Sequence, residues 1–194
     1  MPVHSRIVPT ISAAMVMLAT GVAAQAVPDL PLARGTLAFD ANATLGAFTG
    51  TTSTMTGALV GAPALAGVHG WVEAPSKSLY TNNGHRDNDM AGSLEIEKYP
   101  IIRFDLDSVT QIAAHGDSTA VTLAGSFTIH GQKHAANVPG WLWLTSKSAR
   151  FRGALPVNVK DYGVGGLSKM LGILKMNEMI TIRVDVYFLG GTSP

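Results

Sequence analysis

The 194 residues include no cysteine. That excludes disulfides, thiolate nucleophiles and cysteine-ligated zinc or iron–sulfur centres, so a chain exported without disulfides must rely on its core. Charge is scarce as well: Lys, Arg, Asp and Glu make up 14% of the chain, against roughly 25% in an average soluble domain. Neither sign is in excess, with 14 Lys and Arg facing 13 Asp and Glu. Nucleic-acid binders displace counterions with a basic surface, so nucleic acid is not an expected partner. The chain also lacks a Walker loop, a dinucleotide-binding glycine fingerprint and an EF-hand loop, and with them the motifs of nucleotide or calcium binding. Glycine, at 21 residues, and apolar residues, at 46%, are what the sequence has in quantity.

Residues 1–26 read as a processing segment. Arg6 and His4 precede the apolar stretch Ile7 to Ala24, which ends in Ala24-Gln25-Ala26, the small-x-small pattern a signal peptidase accepts. Cleavage is expected after Ala26, leaving residues 27–194 as one domain with 13 cations against 13 anions, because only Arg6 is lost. A retained anchor is the other reading, since the 18 residues from Ile7 to Ala24 reach the lower end of the roughly 17 to 25 needed to span a bilayer. Pro9, Thr10, Ser12, Thr20 and Gly21 interrupt that stretch. The expected location is periplasmic or secreted, with no stable membrane span after cleavage.

Beyond Arg34 the apolar residues recur with period two. Val121, Leu123, Gly125, Phe127 and Ile129 alternate with Thr122, Ala124, Ser126, Thr128 and His130, which gives a strand one dry and one wet face. Ile180, Ile182, Val184, Val186 and Phe188 repeat the pattern, as do Phe151, Gly153, Leu155, Val157 and Val159, and Ile102, Phe104 and Leu106. Weaker versions run from Thr36 to Ala41, Met55 to Val60 and Val68 to Glu73, while Leu142 and Leu144 oppose Trp141 and Trp143. About eight half-buried strands are therefore expected. Links are short, with Gly131-Gln132 read as one hairpin turn, so neighbours should be antiparallel. Without long helical crossovers a parallel doubly wound sheet is not expected, and the expected fold class is all-β, either a sandwich or an up-and-down barrel.

Two stretches break the alternation. The run from Asn82 to Met90 is dense in polar groups and is expected to form a long excursion holding a helical turn. Between Asp161 and Asn177, Leu167, Met170, Leu171 and Leu174 fall at i, i+3, i+4 and i+7, which predicts a short amphipathic helix serving as core packing or as a lid over a cavity mouth.

Several motifs then carry a resemblance. The runs Thr81-Asn82-Asn83-Gly84-His85-Arg86-Asp87, Glu97-Lys98-Tyr99-Pro100-Ile101-Ile102-Arg103-Phe104, Gly125-Ser126-Phe127-Thr128-Ile129-His130-Gly131 and Asp161-Tyr162-Gly163-Val164 resemble, in order and approximate spacing, the YceI-like polyisoprenoid-binding family. The likeness spans roughly Gly35 to Leu189, although the His-Leu-Arg-Ser type run common after Arg-Asp is replaced by Asn88-Asp89-Met90-Ala91-Gly92. The resemblance implies an antiparallel eight-stranded lipocalin-like barrel with one or two short helices. It also implies an interior that holds a long isoprenoid, quinone-like or fatty amphiphile.

On that reading Leu37, Phe39, Phe104, Phe127, Leu142, Phe151, Leu155, Ile182, Val184 and Val186 are the expected cavity lining, with Arg86 at the rim to grip a hydroxyl, carbonyl or phosphate. Gly70, Gly125, Gly140 and Gly153 share the dry parity and would leave room for a chain; the competing reading is that they let coiled strands turn corners. Arg86 and Asp87 could equally pin their own loop through backbone hydrogen bonds. No cofactor is expected beyond a bound isoprenoid or quinone-like lipid, and a homodimer stays open. The alternative is a non-catalytic structural or interaction protein with a filled barrel and a partner-binding outer surface, at Trp141 and Trp143 or on the expected helix from Leu167 to Met176. His130 and His134 straddle a turn with no third metal ligand beside them, and Ser126, His130 and Asp161 lack a nucleophile elbow, so an enzyme is not expected.

Overall fold

The computed structural model describes residues 26–165, 168–169 and 174–190. The expected leader therefore lies outside the described residues, save Ala26. The described residues form eleven strands: β1 (Leu30–Ala43), β2 (Gly46–Thr52), β3 (Thr56–Val60), β4 (His69–Pro75), β5 (Ile101–His115), β6 (Ser118–Ile129), β7 (Gln132–Leu144), β8 (Ser148–Asn158), β9 (Ser168–Lys169), β10 (Leu174–Lys175) and β11 (Met179–Leu189). Helix α1 (Gly84–Ser93) and three short 3-10 turns complete the described elements.

β1, β3, β4, β5, β6, β7, β8 and β11 form an antiparallel ring of eight, closed by β11 returning to β1. The closing ladder runs from Leu32 opposite Phe188 to Asp40 opposite Thr181. β2 is a ninth strand, added to Leu37–Ala43 on the edge of β1 away from β11. Of the two architectures that alternation allowed, the chain forms the barrel, and closure leaves the ring itself without the free edges that invite aggregation.

Alternation survives along the strands. On β8, Phe151, Leu155 and Val157 are buried while Arg152 is exposed; on β7, Leu142 is 8% exposed and Trp141 41%. β5 changes parity midway: Ile102, Phe104, Leu106 and then Val109 are buried, because a bulge between Leu106 and Ser108 inserts one residue. Phe104 and Phe127, directly opposite on β5 and β6, pack with centroids 4.9 Å apart. Outside, Arg103 pairs with Glu73 across the β4–β5 ladder at 2.8 Å and with Asp105 at 2.7 Å, while it lies over the Trp71 ring at 4.5 Å.

Two local expectations are corrected. The β6–β7 turn is His130-Gly131, not Gly131-Gln132: both have positive φ, 50° and 71°, as a two-residue turn of matching twist requires. Of the amphipathic helix expected between Asp161 and Asn177, Leu167, Met170 and Leu171 lie outside the described residues. Ser168–Lys169 and Leu174–Lys175 instead pair as a two-stranded antiparallel ladder. The apolar spacing covered only eight residues, too few to make a helix stable without packing.

Candidate ligand-binding site

α1 sets one rim of the barrel. Asn83, extended at φ −144°, precedes it and its side chain accepts a hydrogen bond from the Arg86 N–H, an N-cap that satisfies one orphan donor. The Asp87 carboxylate accepts from the Thr81 N–H at 2.8 Å and from the Thr81 hydroxyl at 2.7 Å. These bonds, with Asp87 in the first turn where the helix dipole favours an anion, fix the start of the helix. The expectation of a single turn is exceeded by a ten-residue helix. Arg86 then projects over the Phe48 ring on β2, 4.2 Å from its centroid. Four residues on from Arg86 and from Met90, the side chains of Met90 and Leu94 face the same opening.

Behind this rim lie two chambers. The outer one, about 350 Å³, is walled by Leu37, Phe39, Ile102, Ile129, Ile180 and Ile182 from the strands, by Met90 on α1 and Leu94 at its C-terminal cap, and by Leu45, Phe48, Leu79, Val159, Val164 and Met176. Its polar residues are Thr44, Asn83, Arg86, Asp89, Ser93 and Lys175. The inner one, about 80 Å³, is lined by Phe104, Leu106, Val109, Leu123, Phe127, Val138, Leu142, Phe151, Val184, Val186 and Phe188, with Val27, Leu65 and Val68 also in its wall. Leu37 and Ile102 are common to both walls. An outer volume of this size lies within the roughly 300 to 1,000 Å³ of small-molecule sites.

Of the residues expected from sequence, Leu37, Phe39, Ile182 and Arg86 line the outer chamber, and Leu37, Phe104, Phe127, Leu142, Phe151, Val184 and Val186 the inner one. Leu155 is buried but lines neither. Sequence reasoning missed Ile102, Ile129 and Ile180 as lining, although each stands on a dry face. It also missed Met90 and Leu94, whose i, i+4 spacing was the available signal, and Lys175, which had none.

The glycines do not provide the space expected of them. A Cβ on Gly140 would lie 2.6 Å from Phe151 ring carbons, and one on Gly153 would lie 2.5 Å from the same ring and 2.7 Å from the Pro139 carbonyl. On Gly125 it would meet Phe104 at 2.9 Å and collide with the Asp105 backbone. Aromatic rings and neighbouring strands already fill these positions, so the glycines serve barrel closure and the packing of Phe rings.

The histidines are held locally. His130 donates from Nδ1 to the Tyr162 carbonyl at 3.1 Å, stacks edge-on with Tyr99 at 4.5 Å and places Nε2 3.4 Å from Glu95 Oε1. His134 packs against the Tyr162 ring at 4.8 Å.

With a closed eight-strand ring, an apolar bore and a polar rim in place, comparison with known proteins becomes informative. The family model for the YceI-like domain matches residues 6–188. The chain belongs to the YceI-like family. A polyisoprenoid binding domain from Saccharophagus degradans, implicated in plant cell wall breakdown, superposes with TM-score 0.69 at 15% identity over 84% of this chain and 98% of that one. Burkholderia cenocepacia BcnA gives 0.66 at 17% identity, covering 79% and 95%, and the Campylobacter jejuni YCEI protein 0.60 at 16%, covering 74% and 85%. At these identities the likeness is one of fold. No curated protein sequence matches the chain. Among the described residues of this YceI-like barrel, no helix is long and apolar enough to cross a membrane.

Proposed function

We propose that this YceI-like chain is a periplasmic or secreted binding protein. It holds an apolar amphiphile, of the polyisoprenoid, quinone-like or fatty lipid class, in the barrel for sequestration or transport. The observation that carries the reading is the pair of chambers meeting at Leu37 and Ile102, apolar along their walls and opening at a rim bearing Arg86. Burying a tail there returns about 0.8 kcal/mol per methylene-sized group, so ten groups supply roughly 8 kcal/mol before the costs of association. The polyisoprenoid-binding domain among its structural neighbours supports the same ligand class, and the leader-like residues 1–26 support export. In this reading the domain spans residues 27–194 and performs no catalysis.

A filled barrel working through its outer surface would need a packed interior, which an outer chamber of about 350 Å³ speaks against. The test is native mass spectrometry of protein recovered from its exported form, followed by incubation with farnesyl and quinone probes. Co-purified lipid or stoichiometric probe uptake is expected. Unliganded protein that takes up neither probe would overturn the proposal.

A further inference from the structure

The chambers differ in size by more than fourfold, about 350 against 80 Å³. Leu37 on β1 and Ile102 on β5 belong to both walls. Beyond them the bore is occupied by the protein itself. Phe151 covers Gly140 and Gly153, and Phe104 covers Gly125 while packing on Phe127 at 4.9 Å. Close-packed aromatic cores of this kind do not yield cheaply to an inserted chain. The outer chamber is therefore where a tail has room, and the inner one adds little to it.

The mouth adds a sign. Arg86 and Lys175 both line the outer chamber, against one carboxylate, Asp89. Arg86 rests on the Phe48 ring, and neither cation has an ion-pair partner among the described residues. The Arg86 backbone is pinned by the Asn83 cap and its neighbour Asp87 is bound to Thr81, so the guanidinium is presented from a fixed turn. A guanidinium and an ammonium at the end of an apolar bore match a carboxylate or phosphate better than a neutral head.

We infer that the site takes a short single-chain anionic amphiphile of dodecyl or farnesyl size, its head held by Arg86 and Lys175 and its tail kept to the outer chamber by the aromatic packing beyond it. This rests on the carrier reading and narrows it: the length limit is set by the packed Phe104, Phe127 and Phe151 rings and the choice of head by two cations. A fatty carboxylate and a prenyl phosphate share this chemistry.

The experiment is a binding series on the wild-type protein by calorimetry or native mass spectrometry, with dodecanoate, dodecanol, farnesyl phosphate, farnesol and an octaprenyl phosphate as probes. Dodecanoate and farnesyl phosphate are expected to bind about tenfold or more tightly than their alcohols, and farnesyl phosphate about tenfold more tightly than its octaprenyl counterpart. Whichever of the two acids binds more tightly identifies the source. Arg86→Gln combined with Lys175→Gln should close the gap between acid and alcohol in a protein that stays folded. Octaprenyl phosphate binding as tightly as farnesyl phosphate, or alcohols binding as tightly as acids, would overturn this inference and leave the carrier standing. Failure of every probe, long and short, would instead remove the carrier reading itself.

Discussion

Asp87 takes both polar hydrogens of Thr81, the backbone N–H at 2.8 Å and the hydroxyl at 2.7 Å. Thr81 is buried, at 7% exposure, so each donor would be stranded if the carboxylate were removed. The bond pair ties the chain leaving Thr81 to the first turn of α1, and through it to the placement of Arg86. Asp87→Ala is expected to lower stability by about 2 kcal/mol, within the range for losing hydrogen bonds to a charged acceptor at a buried site. Asp87→Asn, which keeps one acceptor, should cost less. Urea unfolding midpoints check this ordering. A wild-type midpoint in Asp87→Ala would mean that the Asn83 cap alone holds the rim.

Gly153→Ala places a methyl group against the Phe151 ring and the Pro139 carbonyl, at 2.5 and 2.7 Å. Overpacking of this kind costs about 1 to 3 kcal/mol. Because the obstruction is largely one ring, Phe151→Leu in the same chain should recover part of the loss, a non-additivity expected of residues in contact. Denaturant unfolding of the two single variants and the double decides it. A neutral Gly153→Ala would show that the space is open after all.

Fold class was legible in this sequence because antiparallel strands write their two faces into period-two alternation, as Phe151, Leu155 and Val157 or Ile182, Val184 and Val186 show. Closure was not, since the β1–β11 ladder joins residues such as Phe39 and Ile182, far apart in the chain, and alternation says nothing about which strands meet. The glycines misled for a similar reason. A missing side chain reads as space until the cross-strand ring that fills it is known, and Phe104 covers Gly125 from another strand. α1 lacks an apolar stripe, so periodicity shortened it; Asn83 before a first-turn Asp87 was the local signal of its start. The apolar spacing from Leu167 to Leu174 pointed the other way, toward a helix where Ser168–Lys169 and Leu174–Lys175 form a ladder. For the site, ten of the eleven residues expected from sequence line one chamber or the other, because a barrel interior is simply its dry face. The rim from Lys175 to Leu45 depends on tertiary juxtaposition and was not readable.

Asp185 on β11 gives the barrel a pH dependence at the acid end. Hydrogen bonds from the Arg150 guanidinium, at 3.0 and 2.8 Å, are the main reason its carboxyl titrates below the usual carboxylate range; partial burial opposes them, and Arg152 at 3.0 Å adds to the lowering. A depressed folded value means that the contribution is fully present above the unfolded value of about 3.9 and is lost as pH falls through the folded one. The pairs are partly exposed, so the contribution is small, under about 1 kcal/mol. Urea unfolding from neutral pH down to about pH 3 should show wild type losing more stability than Asp185→Asn below the unfolded value. Parallel curves for the two proteins would remove Asp185 as the source.

Filling the outer chamber separates a carrier from a solid barrel. Ile180 on β11 is partly buried, lies opposite Val157 and faces that chamber. Ile180→Trp directs an indole into open volume rather than into packed core, so the stability change should stay within about 1 kcal/mol, while uptake of a farnesyl probe should fall about tenfold or more. Trp141→Ala is the matched control. Its side chain is 41% exposed on the outside of β7, against His115 at 5.2 Å, so the substitution should leave uptake unchanged. Fluorescent-probe displacement on both folded variants reads the contrast. A carrier loses binding from the inside and keeps it when the outside is cut away; an interaction protein does the reverse, losing its partner with Trp141 and remaining indifferent to Ile180→Trp.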